Sequence, residues 1–96
     1  MAQGSVLITG ASSGIGKAVA RGLAEAGASV VVNYVSNEAD ACQVVQDIES
    51  TGGKAMAVRA DVSREDQVKA MFRKMFAAYG SIDILVNNAG LQRDAA

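Results

Sequence analysis

The sequence predicts an α/β protein built on a parallel sheet, on three observations. Short apolar, β-rich runs alternate strictly with helical patterns, four strands with three helices. Val30, Val31 and Val32 form an unbroken β-branched run, which suits a strand covered on both faces. A glycine-rich turn from Gly10 to Gly16 joins the first strand directly to the first helix.

Each element has a local reason. Ser5 to Thr9 is the first strand, and the Ala-rich stretch behind the glycine turn runs as a helix to Ala26, with Gly27 as its stop. After the valine strand, Ser36 is placed to cap a second helix with apolar positions at Ala41, Val44, Val45 and Ile48, ended by Thr51-Gly52-Gly53. Lys54 to Ala60 reads as the third strand. Ser63 with Asp66 three residues on resembles a capping box that opens the third helix. Val68, Met71, Phe72, Met75, Phe76 and Tyr79 follow on one helical face as a core stripe, with Arg73 and Lys74 turned away. Gly80 ends that helix, and Ile82 to Val86 forms the fourth strand, leading into Asn87-Asn88-Ala89-Gly90.

Right-handed crossovers place these strands in the order 3-2-1-4. That is a Rossmann-type doubly wound parallel sheet in its N-terminal βαβαβαβ portion. Residues 1–96 then make one partial dinucleotide-binding domain, and the crevice at the strand-order switch lies beside the glycine turn.

Composition narrows the function. Half of the 96 residues are hydrophobic and a fifth are charged, the balance of a globular core rather than a disordered chain. Nine Lys and Arg against ten Asp and Glu, scattered along the chain, argue against a nucleic-acid or anionic-membrane surface. The apolar runs are too short to cross a bilayer, and the first residues lack a signal-peptide pattern, so a cytoplasmic location is expected. With Cys42 alone and no His, neither an internal disulfide nor a Cys/His zinc site is available, and no metal is expected. Cys42 is read as a packing or surface residue.

Three structural demands fall on the glycines, namely a tight turn out of the strand, close backbone approach to a pyrophosphate, and close packing of helix on sheet. Gly10, Gly14 and Gly16 meet them, with the helix N-terminus facing the anion. Gly16-Lys17 also looks like the end of a Walker A loop. That motif would need Gly at Ala11 and Ser or Thr at Ala18. A methyltransferase on a similar turn would place an acid at Asn33-Tyr34, and none is there.

Three segments carry a resemblance: Thr9-Gly10-Ala11-Ser12-Ser13-Gly14-Ile15-Gly16, then Asp61-Val62 after strand 3, then Asn87-Asn88-Ala89-Gly90 after strand 4. Together, and each at the carboxyl end of an expected strand, they resemble the short-chain dehydrogenase/reductase family, over Ser5 to Gly90. Within it, Val32-Asn33-Tyr34 and the segment from Asn87 to Leu91 are most similar to bacterial glucose 1-dehydrogenases and 3-oxoacyl-carrier-protein reductases. The resemblance implies hydride transfer between a nicotinamide cofactor and an alcohol or carbonyl substrate, a sugar or a 3-oxoacyl thioester, in a homo-oligomeric parent. It implies that Gly10, Ser12, Ser13, Gly14, Ile15 and Gly16 line the pyrophosphate and adenosine ribose. Asp61 would accept from the adenine amino group, and Val62 would meet the ring through its backbone. Asn88, Ala89 and Gly90 would border the nicotinamide-side ribose, while Asn87 would tie strand 4 to its neighbours. Asp61 also reads, without any ligand, as a capping or solvated acid before Ser63.

About 20 residues after the glycine turn, an acid favours NAD and a basic residue accommodates the extra phosphate of NADP. That window reads Asn33-Tyr34-Val35-Ser36-Asn37. It has no acid, but it has Val35 where related NADP enzymes often carry Arg. Ser36 and Asn37 can donate to phosphate oxygens, so NADP is expected, with NAD possible.

The family's catalytic pair, Tyr-x-x-x-Lys on one helix, is missing. Four residues after Tyr34 stands Glu38, and four after Tyr79 stands Asp83. No catalytic residue is therefore expected in this chain, which reads as the cofactor-binding part of a longer enzyme and is inactive alone. The alternative is a free-standing nucleotide-binding or interaction module.

Overall fold

The computed structural model describes residues 4–10 and 14–87, with Asn87 seen by its backbone. Seven elements follow one another: β1 (Ser5–Thr9), α1 (Gly14–Glu25), β2 (Ser29–Tyr34), α2 (Glu38–Ser50), β3 (Lys54–Arg59), α3 (Glu65–Tyr79) and β4 (Ile84–Asn87). All pairings are parallel, in the order β3-β2-β1-β4, as the sequence predicts.

Alternation along the strands assigns the helices to faces. Val6, Ile8, Val30 and Val32 point to one side, where they pack with Ala20 and Ala24 of α1 and with Ala41, Val44 and Ile48 of α2. Leu7, Val31 and Val58 point to the other side, against Met71 and Met75 of α3. Both faces of β1 and β2 are thus covered, which explains why the valine run does not alternate with polar residues.

Register aligns the carboxyl ends of the strands. Thr9 pairs with Asn33 on one side and with Asn87 on the other, and Asn33 pairs with Val58. α1 leaves β1 toward β2, whereas β4 arrives on the opposite flank of β1, so the chain changes direction at the end of β1. An open crevice forms at such a point.

Several local expectations are corrected. Asn37, not Ser36, takes the cap position of α2 and makes no side-chain cap bond; Glu38 and Asp40 in the first turn offset the helix dipole instead. Ser63 does not cap α3. Its hydroxyl donates to Asp61 Oδ1 at 2.6 Å, and the cap position falls to Arg64. Of the core stripe, Met71 and Met75 are buried and Phe72 and Tyr79 half-buried, but Phe76 is 52% exposed. β4 begins at Ile84, because Asp83 turns its carboxylate to Ser5 before the strand starts. Gly80 stops α3 as expected, in the left-handed conformation (φ 80°).

Candidate functional site

The three glycines do three distinct things at the end of β1. Gly10 has φ 66°, a left-handed turn that glycine adopts without steric penalty, and it sends the chain sharply out of the strand. Gly14 is the first residue of α1, and a Cβ built there meets no atom of the described residues within 4 Å, so none of their packing contacts requires glycine. Gly16, in the first turn of α1, is buried, as the close packing of helix on sheet that such a glycine serves would require.

Charge distinguishes α1 from the other helices. α2 carries Glu38 and Asp40 in its first turn and α3 carries Glu65 and Asp66, but α1 carries no acid there. The positive end of the α1 dipole, at the carboxyl end of β1, is therefore left without a carboxylate of its own helix.

Exposed apolar side chains stand at the same end of the sheet as the α1 N-terminus. Among the described residues, five large hydrophobic side chains are exposed, and three of them stand at this end of the sheet: Ile15 at 70%, Val35 at 49% and Val62 at 43%. Val35 directly follows β2, and Val62 follows the end of β3 by three residues.

Other site candidates are arranged unevenly. Asp61 Oδ1 accepts from the Ser63 N–H at 2.9 Å and from the Ser63 hydroxyl. The Ser63 hydroxyl first, then its N–H, hold the Asp61 carboxyl below its ordinary value, so it is a ready acceptor. Both of those bonds fall on Oδ1, and the Asp61 N–H is itself bound to Gln67 Oε1 at 2.8 Å. Asn33 lies deeper. It is 2% exposed, and its amide Nδ2 donates to the carbonyls of Val58 and Ala60 at 3.3 and 3.0 Å. Its side chain thus ties β2 to the end of β3.

Tyr34 is half-buried, and its hydroxyl donates to Glu38 Oε2 at 3.3 Å. Desolvation, with the Glu38 carboxylate adding to it, raises its pKa, while the Arg59 charge works in the opposite direction. Ser36 is exposed on the loop after β2. Ser12, Ser13, Asn88, Ala89 and Gly90 lie outside the described residues. Arg59 is not among the residues that the sequence motifs pick out, yet its Nε donates to the Val35 carbonyl at 3.0 Å. A basic residue closing a strand next to the ribose-reading strand is the signal that could have found it.

A hollow of about 740 Å³ lies at the opposite end of the sheet, lined by Glu25, Gly27, Thr51, Gly52 and Tyr79 among others. Helices end there, so their carbonyl-rich, negative termini face it, which disfavours a phosphate. Among the described residues no cluster of His, Cys, Asp and Glu could hold a metal, and no helix is long and apolar enough to cross a membrane.

Known proteins share this arrangement. The short chain dehydrogenase family model matches residues 4–96. The chain is 47% identical over 90 residues to 3-oxoacyl-acyl-carrier-protein reductase FabG of Staphylococcus aureus, covering 94% of this chain and 37% of that protein. It is 49% identical over 90 residues to an uncharacterised oxidoreductase of Methylorubrum extorquens, covering 94% of this chain and 36% of that one. Among solved structures, a dehydrogenase/reductase from Sinorhizobium meliloti superposes with a TM-score of 0.87 at 41% identity, over 91% of this chain and 34% of the other. A hydroxysteroid dehydrogenase from Escherichia coli gives 0.82 at 43% identity, over 88% and 35%. The chain spans about a third of the length of these relatives. With the sheet order, the glycine geometry and the family match in agreement, the chain belongs to the short-chain dehydrogenase family of oxidoreductases.

Proposed function

We propose that this chain is the cofactor-binding part of an enzyme that transfers hydride between a nicotinamide dinucleotide and an alcohol or carbonyl substrate, working in the cytoplasm as part of a homo-oligomer. The observation that carries the binding reading is the end of β1: a left-handed Gly10, an open Gly14, a buried Gly16 and an acid-free α1 N-terminus, all at one crevice. The backbone N–H groups of the first turn of α1 would hold the pyrophosphate, with Ser12 and Ser13 beside them. Ile15 and Val62 would cover the adenine faces, and Asp61 would accept from its amino group. Tyr34 and Ser36 would flank the adenosine ribose, with Asn33 holding the end of β3 beneath them. Asn88, Ala89 and Gly90 would border the nicotinamide-side ribose.

The bound cofactor supplies or accepts the hydride; this chain's residues bind and orient it. NADP is favoured, with NAD tolerated, since the window Asn33-Tyr34-Val35-Ser36-Asn37 holds no acid to repel a 2′-phosphate. A sugar such as glucose or a 3-oxoacyl thioester is the substrate class in view. The proton-transferring Tyr-x-x-x-Lys pair has no counterpart in residues 1–96, so the catalytic portion belongs to sequence outside them.

Calorimetric titration of the protein of the intact reading frame with NADPH and NADH tests the binding reading, and cofactor oxidation with glucose and 3-oxoacyl thioesters tests the activity. The 96-residue chain alone should turn over neither substrate. Sustained turnover by that chain would refute the division of labour, and an intact protein that binds neither dinucleotide would leave a non-catalytic interaction module as the better description.

A further inference from the structure

The window after β2 lacks a basic residue, yet the fold brings one to it from another strand. Arg59 closes β3 in parallel register with Tyr34. Its Nε donates to the Val35 carbonyl oxygen at 3.0 Å, which fixes the guanidinium beside the first residue after β2. That bond uses one of five guanidinium donors. Arg59 is exposed, and among the described residues it has no carboxylate within ion-pair distance: the pairs found there are Arg21–Asp47, Arg64–Asp66 and Lys69–Glu65. The nearby acid, Glu38, accepts from the Tyr34 hydroxyl instead.

We propose that Arg59, held at the Val35 carbonyl, reads the 2′-phosphate of NADP(H), so that cofactor choice is set from β3 and not by the residue following β2. The proposal rests on the dinucleotide-binding reading above. A 2′-phosphate is a multiply charged anion, and the planar guanidinium matches two of its oxygens through charge-assisted bonds. Ser36 and Asn37, exposed on the adjoining loop, contribute neutral donors on the other side. NAD presents a hydroxyl at the same place and gains little from the cation.

Calorimetric titration of the protein of the intact reading frame decides it, with NADPH and NADH as ligands and with adenosine 2′,5′-bisphosphate against 5′-AMP as probes of the phosphate alone. Arg59→Gln should weaken NADPH and the bisphosphate about tenfold or more, while NADH and 5′-AMP change by less than about twofold. Arg59→Lys, which keeps the charge but not the fork, should fall between. Adding Val35→Arg to Arg59→Gln should restore most of the lost selectivity, because both positions adjoin the same phosphate. An NADPH-to-NADH ratio unchanged by Arg59→Gln, equal loss of both cofactors, or no rescue by Val35→Arg would each overturn the assignment while leaving dinucleotide binding intact. If the unaltered protein bound neither cofactor, the binding reading itself would fall, and this inference with it.

Discussion

Asp83 and Ser5, 78 positions apart, hold each other by reciprocal hydrogen bonds: the Ser5 N–H donates to Asp83 Oδ2 at 2.8 Å, and the Asp83 N–H donates to the Ser5 carbonyl oxygen at 2.9 Å. The Ser81 hydroxyl donates to the same Oδ2 at 3.0 Å. This clamp lies immediately before β4 and sets the register in which Val6 pairs with Ile84. It therefore carries the alignment that brings Asn87 level with Thr9 at the crevice.

Removing the carboxylate should loosen that register. Ser5 is 2% exposed, so Asp83→Ala leaves a buried N–H without its acceptor. A loss of about 1–2 kcal/mol is expected, the lower part of the usual range because water can reach the exposed Asp83 site. Asp83→Asn retains a carbonyl acceptor and should lose less. Urea denaturation measures both; an unchanged midpoint for Asp83→Ala would show that the clamp adds nothing to stability.

Gly14→Val separates folding from binding. The built Cβ meets nothing within 4 Å, so far-ultraviolet circular dichroism and the thermal midpoint should be preserved. The branched side chain would fill the approach to the backbone, and dinucleotide affinity should fall on the order of a hundredfold. Uptake of NADPH at the unaltered affinity would remove the glycine turn from the phosphate site.

Asp61 should respond to its neighbour. The Ser63 hydroxyl is the first cause of its lowered pKa, and the Ser63 N–H is the second. A carboxylate lowered in the folded state contributes stability above its ordinary pKa, 3.8, and that contribution is lost as pH falls through the folded value. Ser63→Ala should therefore raise the Asp61 pKa toward 3.8 and narrow this acid-sensitive window. Carbon-13 titration of the carboxyl group by NMR gives the answer, and a pKa unmoved by the substitution would contradict the assigned cause.

Among the described residues β4 is an apolar edge strand of the sheet, with Leu85 58% exposed and Phe76 of α3 52% exposed. Neither proline nor a charged residue interrupts Ile84–Asn87, so the 96-residue chain should self-associate as its concentration rises. Leu85→Lys should suppress this in light scattering. A chain that stays monomeric at high concentration without the substitution would show that the edge is protected.

By itself the sequence determined the element order, the sheet order and the glycine turn, because these depend on local periodicity, turn chemistry and the handedness of crossovers. The same holds for Gly80 as the stop of α3, where a left-handed residue is needed. Side-chain oxygens obeyed contacts that spacing does not reveal. Ser63 has the position of a cap but bonds to Asp61, and Asp83 has the position of a strand residue but bonds to Ser5. Asn33 falls in the ribose window yet is buried between β2 and β3, while Arg59, distant from that window in the chain, is brought to it by parallel register. The Ser63–Asp61 bond is a local one, two residues apart, that competes with the cap. Tertiary structure decided the Asp83, Asn33 and Arg59 contacts because a polar side chain takes the partner that the packed sheet places within reach, and strand pairing sets that distance independently of separation along the chain.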